Sequence, residues 1–118
     1  MKDYKLQKTF KERKLEHERL IEKCPDRIGI IVQPYYSEDS NIPMIDKRKY
    51  AVYPDITMGT FSNIIRSRLK LDASKSLLFF INKKSLVQVS RSIADIYKEE
   101  KDEDGLLYMY YCGENTFG

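Results

Sequence analysis

The stretch Lys49-Tyr50-Ala51-Val52-Tyr53-Pro54-Asp55-Ile56-Thr57, continuing from Met58 to Leu69 (KYAVYPDITMGTFSNIIRSRL), holds a strand and a helix back to back. Residues 49–53 are mostly aromatic or apolar, which predicts a strand. Pro54 and Asp55 stop it, and Thr57 is placed to cap a helix by accepting an N–H from the first turn. Met58, Phe61, Ile64, Ile65 and Leu69 then recur at steps of three and four. That is the period of a helix laying one apolar face on a sheet.

Upstream, Arg27-Ile28-Gly29-Ile30-Ile31-Val32 is β-branched and apolar and predicts a buried strand over 28–32. The segment from Pro34 to Pro43 has turn composition, so 28–32 and 49–53 are expected to pair antiparallel. Downstream, Leu77-Leu78-Phe79-Phe80-Ile81 is apolar without alternation, which predicts a strand covered on both faces in the middle of the sheet. Asn82-Lys83-Lys84 reads as a turn. Ser90 is placed to cap a short helix carrying Ile93, Ile96 and Tyr97, and Asp102-Glu103-Asp104-Gly105 forms a tight turn before a last strand over 106–111.

At the other end, Thr9-Phe10-Lys11-Glu12 has the form of a capping box. Phe10, His17, Leu20, Ile21 and Cys24 then share one helical stripe up to Pro25, and a helical turn over 5–8 precedes it. The expected class is α+β: a ββαββ sheet clasping one helix, the ubiquitin-like β-grasp, with one or two extra N-terminal helices. Expected divisions are a helical extension over 1–27, a core over 28–112 and a tail over 113–118, all in one structural domain.

The 118 residues suffice for one core. Nine Tyr and five Phe argue against disorder. No apolar run approaches the ~20 residues of a spanning helix, and Met1–Lys5 leads into charges rather than an apolar leader, so a cytoplasmic address is expected. Nine Lys/Arg face six Asp/Glu over 1–27, while six acids face two Lys over 95–104. Such polarity suits steering of protein partners, and no nucleic acid is expected because no dense basic face forms. Two cysteines (Cys24, Cys112) and one histidine (His17) do not make a zinc ligand set. No metal or cofactor is expected, and the thiols read as small buried hydrophobes.

Several motifs are more specific: Ile45-Asp46-Lys47-Arg48-Lys49-Tyr50, Lys101-Asp102-Glu103-Asp104-Gly105-Leu106-Leu107-Tyr108 and Gly113-Glu114-Asn115-Thr116-Phe117-Gly118. With Phe10-x-x-Arg13, Pro25-Asp26-Arg27-Ile28 and Phe61-x-x-Ile64-Ile65-Arg66-x-Arg68, they resemble the autophagy ubiquitin-like modifiers. That family includes the GABA-receptor-associated proteins and their yeast counterpart, and the resemblance runs from about Phe10 to Gly118.

The resemblance implies a substrate of conjugation rather than an enzyme. Gly118 would be adenylated, passed to a partner's cysteine and joined to the amine of phosphatidylethanolamine, with Phe117 and Gly118 read by the processing protease. Glycine suits this step because it lacks a Cβ and can thread a narrow channel. The lipid's two acyl chains would turn a soluble monomer into a membrane-attached protein. Whether Gly118 is the encoded end or a trimmed one stays open at this point. Implied partners are activating and conjugating enzymes, a deconjugating cysteine protease and cargo receptors. Implied locations are the autophagosome membrane and, after delivery, the vacuole or lysosome.

The resemblance also implies a docking surface for aromatic-x-x-aliphatic motifs along the strand at 49–52. Its aromatic pocket would be Glu16, Leu20, Ile31, Lys49, Ala51 and Leu106. Its aliphatic pocket would be Tyr50, Val52, Tyr53, Ile56, Phe61, Ile64 and Arg68. Acids flanking the motif would meet Lys47, Arg48, Lys49 and Arg68. Gly29, Ala51, Tyr53 and Leu106 stand where the family usually has Pro, Leu, Pro and Phe, which implies a roomier or shallower aromatic pocket. Two other classes remain open: an unconjugated β-grasp adaptor for cytoskeletal or receptor tails, and a cysteine hydrolase built on Cys112 and His17.

Overall fold

The computed structural model describes residues 3–35, 42–82 and 85–113. In chain order these form α1 (Tyr4–Gln7), α2 (Phe10–Lys23), β1 (Ile28–Pro34), β2 (Lys49–Val52), α3 (Met58–Leu69), β3 (Leu77–Ile81), β4 (Ser85–Leu86), α4 (Ile93–Glu100) and β5 (Leu107–Gly113). The sheet runs β2-β1-β5-β3-β4. β1 pairs antiparallel with β2, Ile30 opposite Tyr50, and parallel with β5, Ile31 opposite Tyr108. This is the α+β, ubiquitin-like β-grasp arrangement, with two helices ahead of it and the two-residue β4 added to the expected strands.

Side chains alternate across the sheet. Ile30, Val32, Leu107, Met109 and Tyr111 face α3 and α4, where Met58, Phe61, Ile65, Leu69, Ile93 and Ile96 complete the main core. Ile31, Tyr108 and Tyr110 face the opposite way and, with Leu106 and Tyr4, make a second, smaller cluster. Thr57 caps α3 by accepting the Thr60 N–H at 3.2 Å. Of the predicted α3 stripe only Ile64 is exposed, at 42%.

Three expectations are corrected. The middle strand is β5, all seven residues of which are buried. β3 lies one place from the edge, with Phe79 and Ile81 in the core and Phe80 half-buried against the Tyr35 ring at 5.1 Å. A five-residue apolar run does not separate these two positions. The cap of α4 is Ser92, which accepts the Asp95 N–H at 3.1 Å. Ser90 is passed over because the Arg91 N–H closes a turn on the Gln88 carbonyl, and the Ile93 N–H is held by the Ile56 carbonyl beside the α3 start. On α2 the capping box of Thr9 and Glu12 forms as read. Phe10, however, is 44% exposed, and the one buried α2 residue is the cation Arg13.

Arg13 is buried because Asp104 is. The Asp104 carboxylate accepts from Arg13 Nη1 at 2.6 Å, from the Tyr108 hydroxyl and from the Leu106 N–H at 2.8 Å. Lys5 pairs with neighbouring Asp102. Gly105, at φ +93°, completes the turn, and a Cβ there would lie 2.2 Å from His17 Nδ1. The acidic turn therefore fastens both N-terminal helices to the entry of β5.

His17 reports on this clasp. Burial holds its imidazole below the ordinary histidine range. Asp104 and Glu18 pull the other way, and Lys101 adds to the lowering. Protonation is thus harder in the folded than in the unfolded chain. Its contribution is complete above the unfolded value of about 6.5 and is lost as pH falls from there through the lowered folded value. Urea midpoints are expected to drop between pH 7 and about 5, above the carboxylate range, and His17→Gln should flatten that segment. A slope unchanged by the substitution would refute the assignment.

Candidate functional site: a cavity between α2 and the β2 edge

α2 crosses the sheet beside β1 and β2 and leaves a cavity of about 420 Å³. Glu16, Arg19, Leu20 and Lys23 line it from α2, at spacings that bring all four to one helical face. Lys49 and Ala51 line it from β2, and Ile31, 1% exposed, and Leu106, 4% exposed, are among its apolar walls. All six residues implied for an aromatic pocket meet here. β2 is the end strand of the sheet, so among the described residues its outer edge has no strand partner to exclude an extended peptide.

Of the four departing positions, Gly29, Ala51 and Leu106 line this cavity. A Cβ at Gly29 would lie 2.6 Å from Leu20 Cδ2 and 2.9 Å from Leu106 Cδ2. Leu20 and Leu106 therefore fill the space above Gly29 that a larger residue would take. Ala51, the strand partner of Gly29, contributes only a methyl group to the lining.

Arg19, Lys23, Lys47 and Lys49 set four cations against the single carboxylate of Glu16 in the lining. The sequence reading had Lys47 and Lys49 among these cations and missed Arg19 and Lys23. Their positions three and seven residues after Glu16 were the available signal. Glu16 Oε2 stands 3.1 Å from Lys49 Nζ, and Glu16 also accepts from the Tyr4 hydroxyl and Lys8 Nζ.

The seven residues of the aliphatic set are distributed differently. Phe61, 0% exposed, meets Tyr50 edge-on at 5.8 Å, and Val52 is buried beside them. Strand alternation turns Tyr50 and Val52 to the core, and Tyr50 is buried. Desolvation pushes the Tyr50 phenol up to about 12. Ile56 is partly buried. Tyr53, Ile64 and Arg68 are exposed, with Arg68 paired to Asp46 at 2.9 Å. Tyr53 is held by Arg27, whose Nη2 donates to its hydroxyl at 2.7 Å and whose guanidinium lies 3.8 Å from the ring centre.

Phe117 and Gly118 lie outside the described residues. Cys112 is 1% exposed, which removes the accessible thiol a hydrolase would need, and Cys24 is partly buried. Among the described residues no group of three or more His, Cys, Asp or Glu side chains is placed to hold a metal ion. Nor is any helix there long and apolar enough to cross a membrane.

The sheet order and clasped helix define a ubiquitin-like protein. Residues 12–118 match the family described as Autophagy protein Atg8 ubiquitin like. The chain is 46% identical over 115 residues to Autophagy-related protein 8c of Arabidopsis thaliana, covering 98% of this chain and 94% of that one. It is 44% identical over 115 residues to Autophagy-related protein 8 of Mycosarcoma maydis, covering 98% and 95%. The crystal structure of Trypanosoma brucei ATG8 superimposes with a TM-score of 0.87 at 38% identity, covering 97% of this chain and 96% of that one. The chain belongs to the Atg8 family of autophagy ubiquitin-like proteins.

Proposed function

We propose that this chain is a modifier joined through Gly118 to phosphatidylethanolamine, and that it gathers cargo receptors on autophagosomal membranes. Receptors carrying an aromatic-x-x-aliphatic motif would extend the sheet along β2. The aromatic side chain enters the cavity, and the aliphatic one lies against Ile64, Tyr53 and Ile56. Convergence of Glu16, Leu20, Ile31, Lys49, Ala51 and Leu106 on one cavity beside an end strand carries the docking half of this reading. Family membership supports the conjugation half. The chain acts as a substrate: activating and conjugating enzymes supply the nucleophiles, and a deconjugating cysteine protease reads Phe117 and Gly118. It is a monomer in the cytoplasm before conjugation. Afterwards it lies on the autophagosome membrane and is delivered to the vacuole or lysosome.

The competing reading is an adaptor that is never conjugated. Gly118→Ala separates the two. Loss of at least tenfold of the membrane-pelleted protein in cells is expected, because a Cβ obstructs the channel the glycine must thread. An unchanged pelleted fraction would leave only the adaptor.

A further inference from the structure

The carboxylate of Glu16 is shared between the cavity and the first helix. Tyr4 is 2% exposed and stacks at a tilt on Tyr108 with ring centres 6.4 Å apart. Its N–H donates to Gln33 Oε1 at 2.6 Å. Its hydroxyl donates to Glu16 Oε2, and Lys8 Nζ, just past the same helix, donates to Glu16 Oε1. Lys49 Nζ approaches Oε2 at 3.1 Å from across the cavity. Both oxygens are thus engaged by the N-terminal segment, and Lys49 shares one of them. The exposures follow this order: the Glu16 side chain is 20% exposed and that of Lys49 is 57%. α1 is four residues long and cannot hold itself as a helix in water, so these contacts help to seat it, together with Lys5–Asp102 and the Arg48 donation to Gln7 Oε1 at 2.6 Å.

We infer that Tyr4 and Lys8 are positioning residues for ligand docking: by holding Glu16 on the α1 side they keep Lys49 available to an acidic residue beside the ligand's aromatic. This rests on the docking reading above. Without the Tyr4 hydroxyl, Oε2 turns wholly to Lys49. The ion pair between α2 and β2 tightens, and an incoming ligand carboxylate must displace Glu16 before it reaches the ammonium. The cost falls on acidic ligands and spares neutral ones. Lys8 acts in the same sense. Its ammonium is held below the ordinary lysine range by desolvation first and then by the Lys49 charge, so the two cations sense one another across the shared carboxylate.

The test titrates the full chain with two peptides containing Trp-x-x-Leu, one flanked by Asp and Glu and one with these changed to Asn and Gln. Tyr4→Phe keeps the ring and its packing. It is expected to weaken the acidic peptide roughly threefold to tenfold and the neutral one less than twofold. In the Glu16→Gln background Tyr4→Phe should change neither. Equal weakening of both peptides, as a loosened helix would give, overturns the inference, and so does an acidic-peptide effect that persists with Glu16→Gln. Side-chain NMR of the peptide-free protein gives a second readout. Tyr4→Phe and Lys8→Gln should each move the Lys49 ammonium resonance toward that of a paired lysine, and an unmoved resonance refutes the coupling. If the wild type binds neither peptide, the docking reading and the ligand role of Tyr4 fall together. A moved resonance in that case localises the failure to docking rather than to the contact network.

Discussion

Asp104→Ala is expected to lower the thermal midpoint by roughly 10–20 °C. The carboxylate has no exposed surface and is the shared acceptor for Arg13, Tyr108 and the Leu106 N–H. Its removal leaves the guanidinium of Arg13, a residue 9% exposed, beside a phenol that also loses its acceptor. Breaking one side of a buried ion pair costs about 3–5 kcal/mol because the surviving charge stays desolvated. Arg13 retains Asp102 at 3.7 Å, the Lys8 carbonyl at 3.3 Å and the Tyr108 hydroxyl at 3.4 Å, none of which replaces the carboxylate at 2.6 Å. The pair itself is not expected to be worth that much. Arg13→Met combined with Asp104→Leu should recover a large part of the loss, since no buried charge is then left alone. Calorimetry of the single and double variants checks both statements. A single variant within about 3 °C of wild type would show that the clasp does not hold the helices.

Ala51→Trp is expected to abolish peptide docking while leaving the fold intact. Ala51 is partly buried on the cavity side of the end strand, opposite Gly29. An indole grown from it occupies the cavity of about 420 Å³ that the ligand's aromatic requires. Tryptophan is at ease on a half-buried strand surface, so stability should change by less than about 1 kcal/mol. A wild-type affinity on the order of micromolar is expected for so small an interface. The variant should lose at least thirtyfold, measured by calorimetric titration beside thermal unfolding of the same sample. Undiminished binding would place the aromatic elsewhere.

These two residues show where sequence reasoning succeeds and where it stops. The stripe Met58, Phe61, Ile65, Leu69 and the caps Thr9 and Thr57 are legible because helical period and capping are local properties. The burial of Tyr50 is not legible, because a strand's two faces look alike until the partner layer is known. α3 packs on one face, and that buries it. β3 and β5 could not be ordered by hydropathy, since position in a sheet is set by long-range pairing. The six aromatic-pocket residues came from family resemblance, and no local pattern joins Glu16 to Leu106. The Arg13–Asp104 clasp lies in two recognised motifs, Phe10-x-x-Arg13 and the acidic turn, yet its pairing over 91 residues is visible only in the folded chain. Glu16 as the junction of Tyr4, Lys8 and Lys49 is invisible for the same reason.

Amide NMR of the labelled full chain, titrated with the acidic-flanked Trp-x-x-Leu peptide, tests the docking site most directly. The largest shifts should fall along β2 from Lys49 to Val52 and around the cavity at Glu16, Leu20 and Leu106, saturating at micromolar peptide. Shifts confined to the opposite edge, near Leu86 and Val89, or none at millimolar peptide, would contradict the account.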